Sequence, residues 1–321
     1  MLKKLGVLFF VIVVALSTAS CSFLKTKNPT NVEKKSVQKP SVNVKTNSSV
    51  ASNNGKENSV KNTSNDVSNA KTAENNTVNN DVYSNSLINT QGLDNTLYGW
   101  GMRVLPDHKT PEITSKAMSL IKKYDGIFTG DTTKKYVYLT FDEGYENGYT
   151  PKILDILKAN NVKAAFFVTG PYIKEHGDLV KRMVAEGHIV GNHTVNHPSL
   201  PKLSDEKVKT EITGLAEMFK ELTGKDMHYL RPPMGEYSER TLYIAKSLGY
   251  KTVFWSLALA DWQPLPGGPD ESYNTVMARI HPGAVILLHA VSKDDTMALD
   301  RILKDIKAQG YVFKTLDDIS E

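Results

Sequence analysis

The stretch from Tyr138 to Leu154, "YLTFDEGYENGYTPKIL", decides how the rest of the chain is read. Its first residues form an apolar run of the kind a strand buried on both faces carries. It then breaks into a turn holding three carboxylates, Asp142, Glu143 and Glu146. Thr150 follows as an expected N-cap with Pro151 at the first helical position, opening the amphipathic run "KILDILKANN". The unit is a strand, an acidic turn and a helix.

Working outward, the same rhythm repeats. Apolar "AAFFVTG" precedes a helix expected from about Tyr172 to Glu186, ended by Gly187, and "HIVGN" follows as a short strand. Ser204 caps a helix whose Val208, Ile212, Leu215, Phe219 and Leu222 recur at helical spacing before Gly224. Then come "MHYL", a helix from Ser238 to Gly249, and a strand "KTVFWSLAL". Helical "NTVMARI", a strand "GAVILLH", a helix from about Thr296 to Gln309 and "YVFKTL" complete the chain. Repeated βα units imply an α/β fold with a parallel sheet covered by helices, open or closed into a barrel.

In either form, chemistry collects at the carboxyl ends of the strands. Those ends carry Asp142 and Glu143, then His193 and His197, then Arg231, then Asp261 and Trp262, then His289. Ordinary solvated loops would carry Lys, Ser and Asn, as the first ninety residues do. A pair of loop histidines is, taken alone, more often solvated than bound to a metal. Pro198 disfavours helix at His197, so this pair comes from a turn. Beside an acidic turn on the same edge, two imidazoles and a carboxylate make a divalent-metal set with positions open to water. Arg231, stiffened by two prolines, reads as an ion-pair partner that could hold a carboxylate base in place. A buried Asp261 needs a partner, and His289 is the natural one; together they read as a tuned general acid. Glu146 and Tyr149 read as loop or substrate contacts, and His176, His188, His228 and His281 as structural. No Gly-x-Ser-x-Gly elbow, P-loop or dinucleotide fingerprint is present, and metal-assisted hydrolysis is the chemistry left.

The 321 residues are 40% hydrophobic and 23% charged, with a net charge of +4, which argues for no nucleic-acid partner. Lys3 and Lys4, apolar "LGVLFFVIVVAL" and small "STASC" read as an export signal over residues 1–21. Cys21 is the single cysteine, so no internal disulfide forms. Its setting resembles a lipoprotein cleavage site, although Thr18 stands where an aliphatic residue is usual. Lipidation, ordinary cleavage and an uncleaved anchor stay open, and each places the folded part outside the cytoplasm, with the membrane reached through the N-terminus. Residues 22–94 are rich in Asn, Ser, Lys, Val and Thr, with no aromatic residue between Phe23 and Tyr83. Such a segment is expected to be a disordered tether.

"TFDEG", "HTVNH", "RPPMG", "DW" and "LLH", in this order, resemble the motifs of the NodB-type polysaccharide deacetylases, carbohydrate esterase family 4. "TFDEGYENGYTPKIL", "GNHTVNHPSL", "LRPPMGEYSE" and "IHPGAVILLHAVSKDD" look closer still to its delta-lactam-biosynthetic de-N-acetylases. The resemblance implies a distorted (β/α) barrel of fewer than eight units over residues 136–317, with residues 95–135 as an N-terminal extension. It implies Asp142 as general base, Arg231 as its orienting partner, His289 as general acid and Asp261 as the group tuning it. His193, His197 and Glu143 would hold a divalent cation, zinc and magnesium among the candidates. Glu143 stands where the family usually carries a second aspartate. Tyr145, with its backbone N–H at the oxyanion, and Trp262 would contact the substrate. The implied activity is de-N-acetylation of N-acetylmuramic acid in peptidoglycan glycan strands by a monomer, toward the muramic delta-lactam of spore cortex. The rivals are an N-acetylglucosamine deacetylase and a wall-binding pseudo-enzyme without metal.

Overall fold

The computed structural model describes residues 88–319, so the signal, Cys21 and nearly all of the low-complexity segment lie outside them. Among the described residues no helix is long and apolar enough to cross a membrane. The strands are β1 (Tyr98–Gly99), β2 (Tyr136–Glu143), β3 (Ala165–Val168), β4 (Ile189–Asn192), β5 (Tyr229–Leu230), β6 (Glu236–Tyr237), β7 (Lys251–Thr252), β8 (Leu257–Ala258), β9 (Ala284–His289) and β10 (Val312–Lys314). The helices are α1 (Ser115–Lys123), α2 (Thr150–Ala159), α3 (Gly170–Glu175), α4 (Gly177–Ala185), α5 (Asp205–Thr223), α6 (Glu239–Ser247), α7 (Gly268–Arg279) and α8 (Lys293–Ala308).

The main sheet runs β7-β5-β4-β3-β2-β9-β8, with β10 also against β2, and every pairing in it is parallel. It curls part-way into a barrel with helices outside, the architecture the βα rhythm implies. β1 and β6 form a separate antiparallel pair beside it.

Strand alternation sorts side chains into two cores. Val137, Leu139, Phe141, Phe166 and Val168 turn outward into the large cluster beneath the helices. Tyr138, Ala165, Phe167, Val253 and Val285 turn inward and fill the barrel. Because both faces of β2 are covered, its apolar run does not alternate with polar residues. The helical spacing of α5 does the same work from outside: Val208, Ile212, Leu215 and Phe219 are all buried. Ser204 caps that helix from its side chain, and Gly224 ends it at φ 73, a left-handed conformation that glycine adopts without strain.

Four expectations shift. The helix expected over 172–186 is two, α3 and α4, broken at His176 (φ −130, ψ 37). The cap of α2 is Tyr149, and Thr150 is already helical; its hydroxyl serves a buried network described below. The single strand expected for "KTVFWSLAL" is β7 and β8 with an irregular link. There the carbonyls of Val253 and Phe254 turn to accept hydrogen bonds from Arg231. The last helix starts at Lys293, capped by the Ser292 hydroxyl, a turn earlier than Thr296.

Candidate active site

A groove of about 970 Å³ crosses the carboxyl ends of the strands, and Asp142, His193, His197 and His289 all line it. Asp142 shares the inward parity of Tyr138, and His289 that of Val285, so alternation aims both side chains into the barrel. They stand opposite each other on paired strands, Asp142 on β2 and His289 on β9.

Arg231 lies beneath them, completely buried. Its Nη1 donates to Asp142 Oδ1 at 2.8 Å, Nε to Val253 O at 3.2 Å and Nη2 to Phe254 O at 3.4 Å. Its guanidinium lies 4.2 Å from the centroid of the Phe167 ring, a cation–π contact. Gly191 makes room for that ring, since a Cβ there would come within 2.5 Å of it. Burial alone would raise the Asp142 carboxyl, but the Arg231 charge, His193 and His289 outweigh it and hold it below the usual range. Asp142 is therefore an ionised acceptor at neutral pH.

His193 donates Nδ1–H to the Arg231 carbonyl at 2.8 Å, which fixes the tautomer and leaves the Nε2 lone pair toward the groove. Burial lowers its pKa to about 4, against the pull of Asp142, so the ring is neutral. Nε2 stands 3.6 Å from Asp142 Oδ2, too far for a direct hydrogen bond. The His197 ring is 4.8 Å from that of His193, on a turn where His197 has φ 56, outside the helical region that the proline after it disfavours.

Glu143 is not brought to these histidines. It has the outward parity of Phe141, is completely buried, and takes hydrogen bonds from the Thr150 hydroxyl at 3.3 and 3.4 Å. The Tyr172 hydroxyl, 3.2 Å from Thr150, binds Glu146 at 3.1 Å, and Glu146 in turn accepts the Gly148 N–H. Burial, with Glu146 nearby, raises the Glu143 carboxyl well above its ordinary value, so it is a neutral acid. Among the described residues no group of three His, Cys, Asp or Glu side chains is gathered that could hold a metal ion. The expected triad of His193, His197 and Glu143 thus does not fit, because neighbouring strand residues face opposite ways.

This placement predicts two outcomes. Calorimetric zinc titration should give the same affinity for wild type and Glu143→Ala; weaker binding by the variant would restore Glu143 as a ligand. A neutral isostere, Glu143→Gln, should match or exceed wild-type stability at neutral pH in urea denaturation. The unfolded chain ionises Glu143 above its ordinary 4.5 while the folded chain keeps the proton, so this residue's contribution falls as pH rises through that window. A loss of more than about 2 kcal/mol at neutral pH would mean that the charged form is needed.

On the far side, Asp261 is buried and grips His289 twice. Oδ1 accepts from Nδ1–H at 2.7 Å and Oδ2 from the backbone N–H at 2.6 Å. Burial would lower the His289 pKa, but the Asp261 hydrogen bond and charge raise it above 6.5. Nε2 is left as the proton-bearing atom facing outward. The walls are apolar and open. Tyr145, Trp262 and Met234 are each more than half exposed, and the Trp262 ring meets the His289 ring edge-on at 5.2 Å. Met234 was not singled out from the sequence; its φ of 59, between Pro233 and Gly235, is what lifts it to the rim.

A barrel of parallel strands, an arginine-clamped carboxylate and an aspartate-held histidine across one groove define a hydrolytic site, and the chain belongs to the polysaccharide deacetylase family, whose description matches residues 129–253. It is 45% identical, over 71% of its length and 88% of the relative's, to the peptidoglycan-N-acetylmuramic acid deacetylase PdaA of Bacillus subtilis. The solved structure of that protein, described as a family 4 carbohydrate esterase, superposes with a TM-score of 0.68 at 44% identity, covering 71% of this chain and 98% of that one. A peptidoglycan-N-acetylglucosamine deacetylase of Bacillus cereus is 38% identical over 62% of this chain and 73% of its own.

Proposed function

We propose that the protein hydrolyses the N-acetyl group of N-acetylmuramic acid in peptidoglycan strands, as a step toward muramic delta-lactam in spore cortex. The observation that carries the reading is the facing of the Asp142–Arg231 and His289–Asp261 pairs across one groove. The higher identity to a muramic deacetylase than to a glucosamine deacetylase favours the muramic acetyl group.

Asp142 Oδ2, not engaged by Arg231, takes a proton from water as the water oxygen attacks the acetyl carbonyl. His193 Nε2, beside that oxygen, orients the same water. The backbone N–H near Tyr145 receives the oxyanion. As the carbon–nitrogen bond breaks, His289 Nε2 gives its proton to the leaving amine, while Asp261 holds Nδ1–H and stabilises the imidazolium. Acetate and the free amino sugar leave. Tyr145, Trp262 and Met234 supply flat apolar surface for sugar rings. The protein works outside the cytoplasm, where its polymer lies, tethered through residues 22–94 and anchored by the N-terminal signal or a lipid on Cys21.

Purified peptidoglycan incubated with the protein, digested to muropeptides and analysed by mass spectrometry tests the reading. Loss of acetyl from muramic acid is expected. Loss from glucosamine alone would transfer the activity to the other sugar, and no loss from either would remove it.

A further inference from the structure

Behind the general-acid pair lies a second buried carboxyl group that the chemistry above does not use. Asp295 sits in the first turn of α8, 1% exposed, and its carboxyl group faces that of Asp261, itself 1% exposed. The Ser272 hydroxyl, on α7, donates to Asp295 Oδ1, and the Ser292 hydroxyl accepts the Asp295 backbone N–H at 3.2 Å. Asp295 Oδ2 is buried with no donor facing it. Both oxygens of Asp261 already accept from His289. Among the described residues neither carboxyl forms an ion pair with a lysine or arginine; His289 is the single cationic partner, and it belongs to Asp261.

Two ionised carboxylates facing each other, both out of water and without a metal or arginine between them, repel strongly. The orphaned oxygen and the acceptor beside it are both satisfied by one proton. We propose that Asp295 is a positioning residue for deacetylation: its carboxyl group is protonated and donates to Asp261, and this shared proton limits how strongly Asp261 holds the His289 imidazolium. The inference rests on the deacetylase reading for its function, though not for its structural content.

Burial first, then the hydrogen bond and charge of Asp261, push the Asp295 carboxyl up to about 9, against the Ser272 and Ser292 hydroxyls. His289 is faced by Asp261 from the loop after β8, by Asp142 from β2, and by Arg231 from the loop after β5. Of these, only Asp261 acts on Asp295, so a change at Asp295 reaches His289 through that one residue. The competing role is structural: an acid in the first turn of a helix is stabilised as an anion by the helix dipole. An anionic Asp295 would add negative charge near His289 and raise its pKa. A proton-sharing Asp295 does the reverse, by drawing charge away from Asp261.

The two roles therefore differ in sign. Imidazole NMR titration of the full chain, assigned with His289→Gln, should show the His289 pKa rising by about half a unit or more in Asp295→Ala. It should stay in place in Asp295→Asn, whose amide can still donate to Asp261. The alkaline limb of the deacetylation pH profile should move with it. A lowered His289 pKa in both variants would mean that Asp295 is an anion, and no change in either would mean that it only caps α8; each overturns the proposal. If Asp295→Ala does not fold, infrared spectra decide. A protonated-carboxyl band at neutral pH should be present in the wild type and lost in Asp295→Asn, and a difference spectrum without it would sink the idea. Should no variant, nor the wild type, deacetylate any glycan, the deacetylase reading fails while the titration still reports on the shared proton.

Discussion

Asp142→Asn is expected to lower deacetylation turnover roughly 10²–10⁴-fold, the usual contribution of a general base. The amide keeps an oxygen for Arg231 Nη1, so the contact at 2.8 Å survives in geometry, but it cannot take a proton from water. Stability should drop as well, because the buried guanidinium loses the charge that compensates it. The expected cost is less than the roughly 3–5 kcal/mol of removing a buried partner altogether, since the hydrogen bond remains. Turnover at saturating substrate, measured where circular dichroism shows the variant folded, separates the two effects. Near-wild-type turnover would remove Asp142 from the chemistry. The wild-type pH profile should agree with the assignment. Asp142 titrates below its ordinary 3.8 and His289 above its ordinary 6.5, so the active form, carboxylate with imidazolium, spans at least that interval. Activity should fall on the acid side as Asp142 gains a proton and on the alkaline side as His289 loses one.

Much of this site could be read from the strand ends. Asp142, His193, His197 and His289 line one groove because parallel strands deliver their carboxyl ends to one edge. Arg231 and Asp261 arrive at the same edge as buried partners of the first and last of these. Glu143, expected with the histidines, is set apart from Asp142 in the structure. In an extended strand adjacent residues point to opposite faces, and Glu143 follows Phe141 outward beneath the helices. Counting parity from the apolar residues would have separated it from Asp142. Asp295 was hidden for a different reason. Its neighbours come from α7 and from the loop after β8, and no local pattern reveals that the fourth residue of "SKDD" meets a carboxylate thirty-four positions earlier. The break in "KTVFWSLAL" was equally hidden: apolar periodicity reports burial, whereas the strand is interrupted by where its carbonyls must point.

That interruption ties the last prediction to the fold. Arg231→Met should cost about 3–5 kcal/mol, the range for removing one partner of a buried ion pair. It strips donors from the Val253 and Phe254 carbonyls as well as the cation from Asp142. Asp142 then keeps its burial without its compensation, and burial raises a carboxyl. The pH dependence of its contribution should change sign. In the wild type the depressed carboxyl contributes stability above its unfolded value of 3.8, lost as pH falls through the folded value. In Arg231→Met the raised carboxyl contributes below 3.8, and that contribution is lost as pH rises. Urea denaturation at about pH 3 and about pH 7 should therefore show a larger penalty for the variant at the higher pH. Adding Asp142→Asn to Arg231→Met should recover part of the loss at neutral pH, because no buried charge is then left alone, while turnover stays absent. Equal penalties at both pH values, with no recovery in the double variant, would mean that Arg231 acts on the barrel through packing against Phe167 and the carbonyls and not through the charge of Asp142.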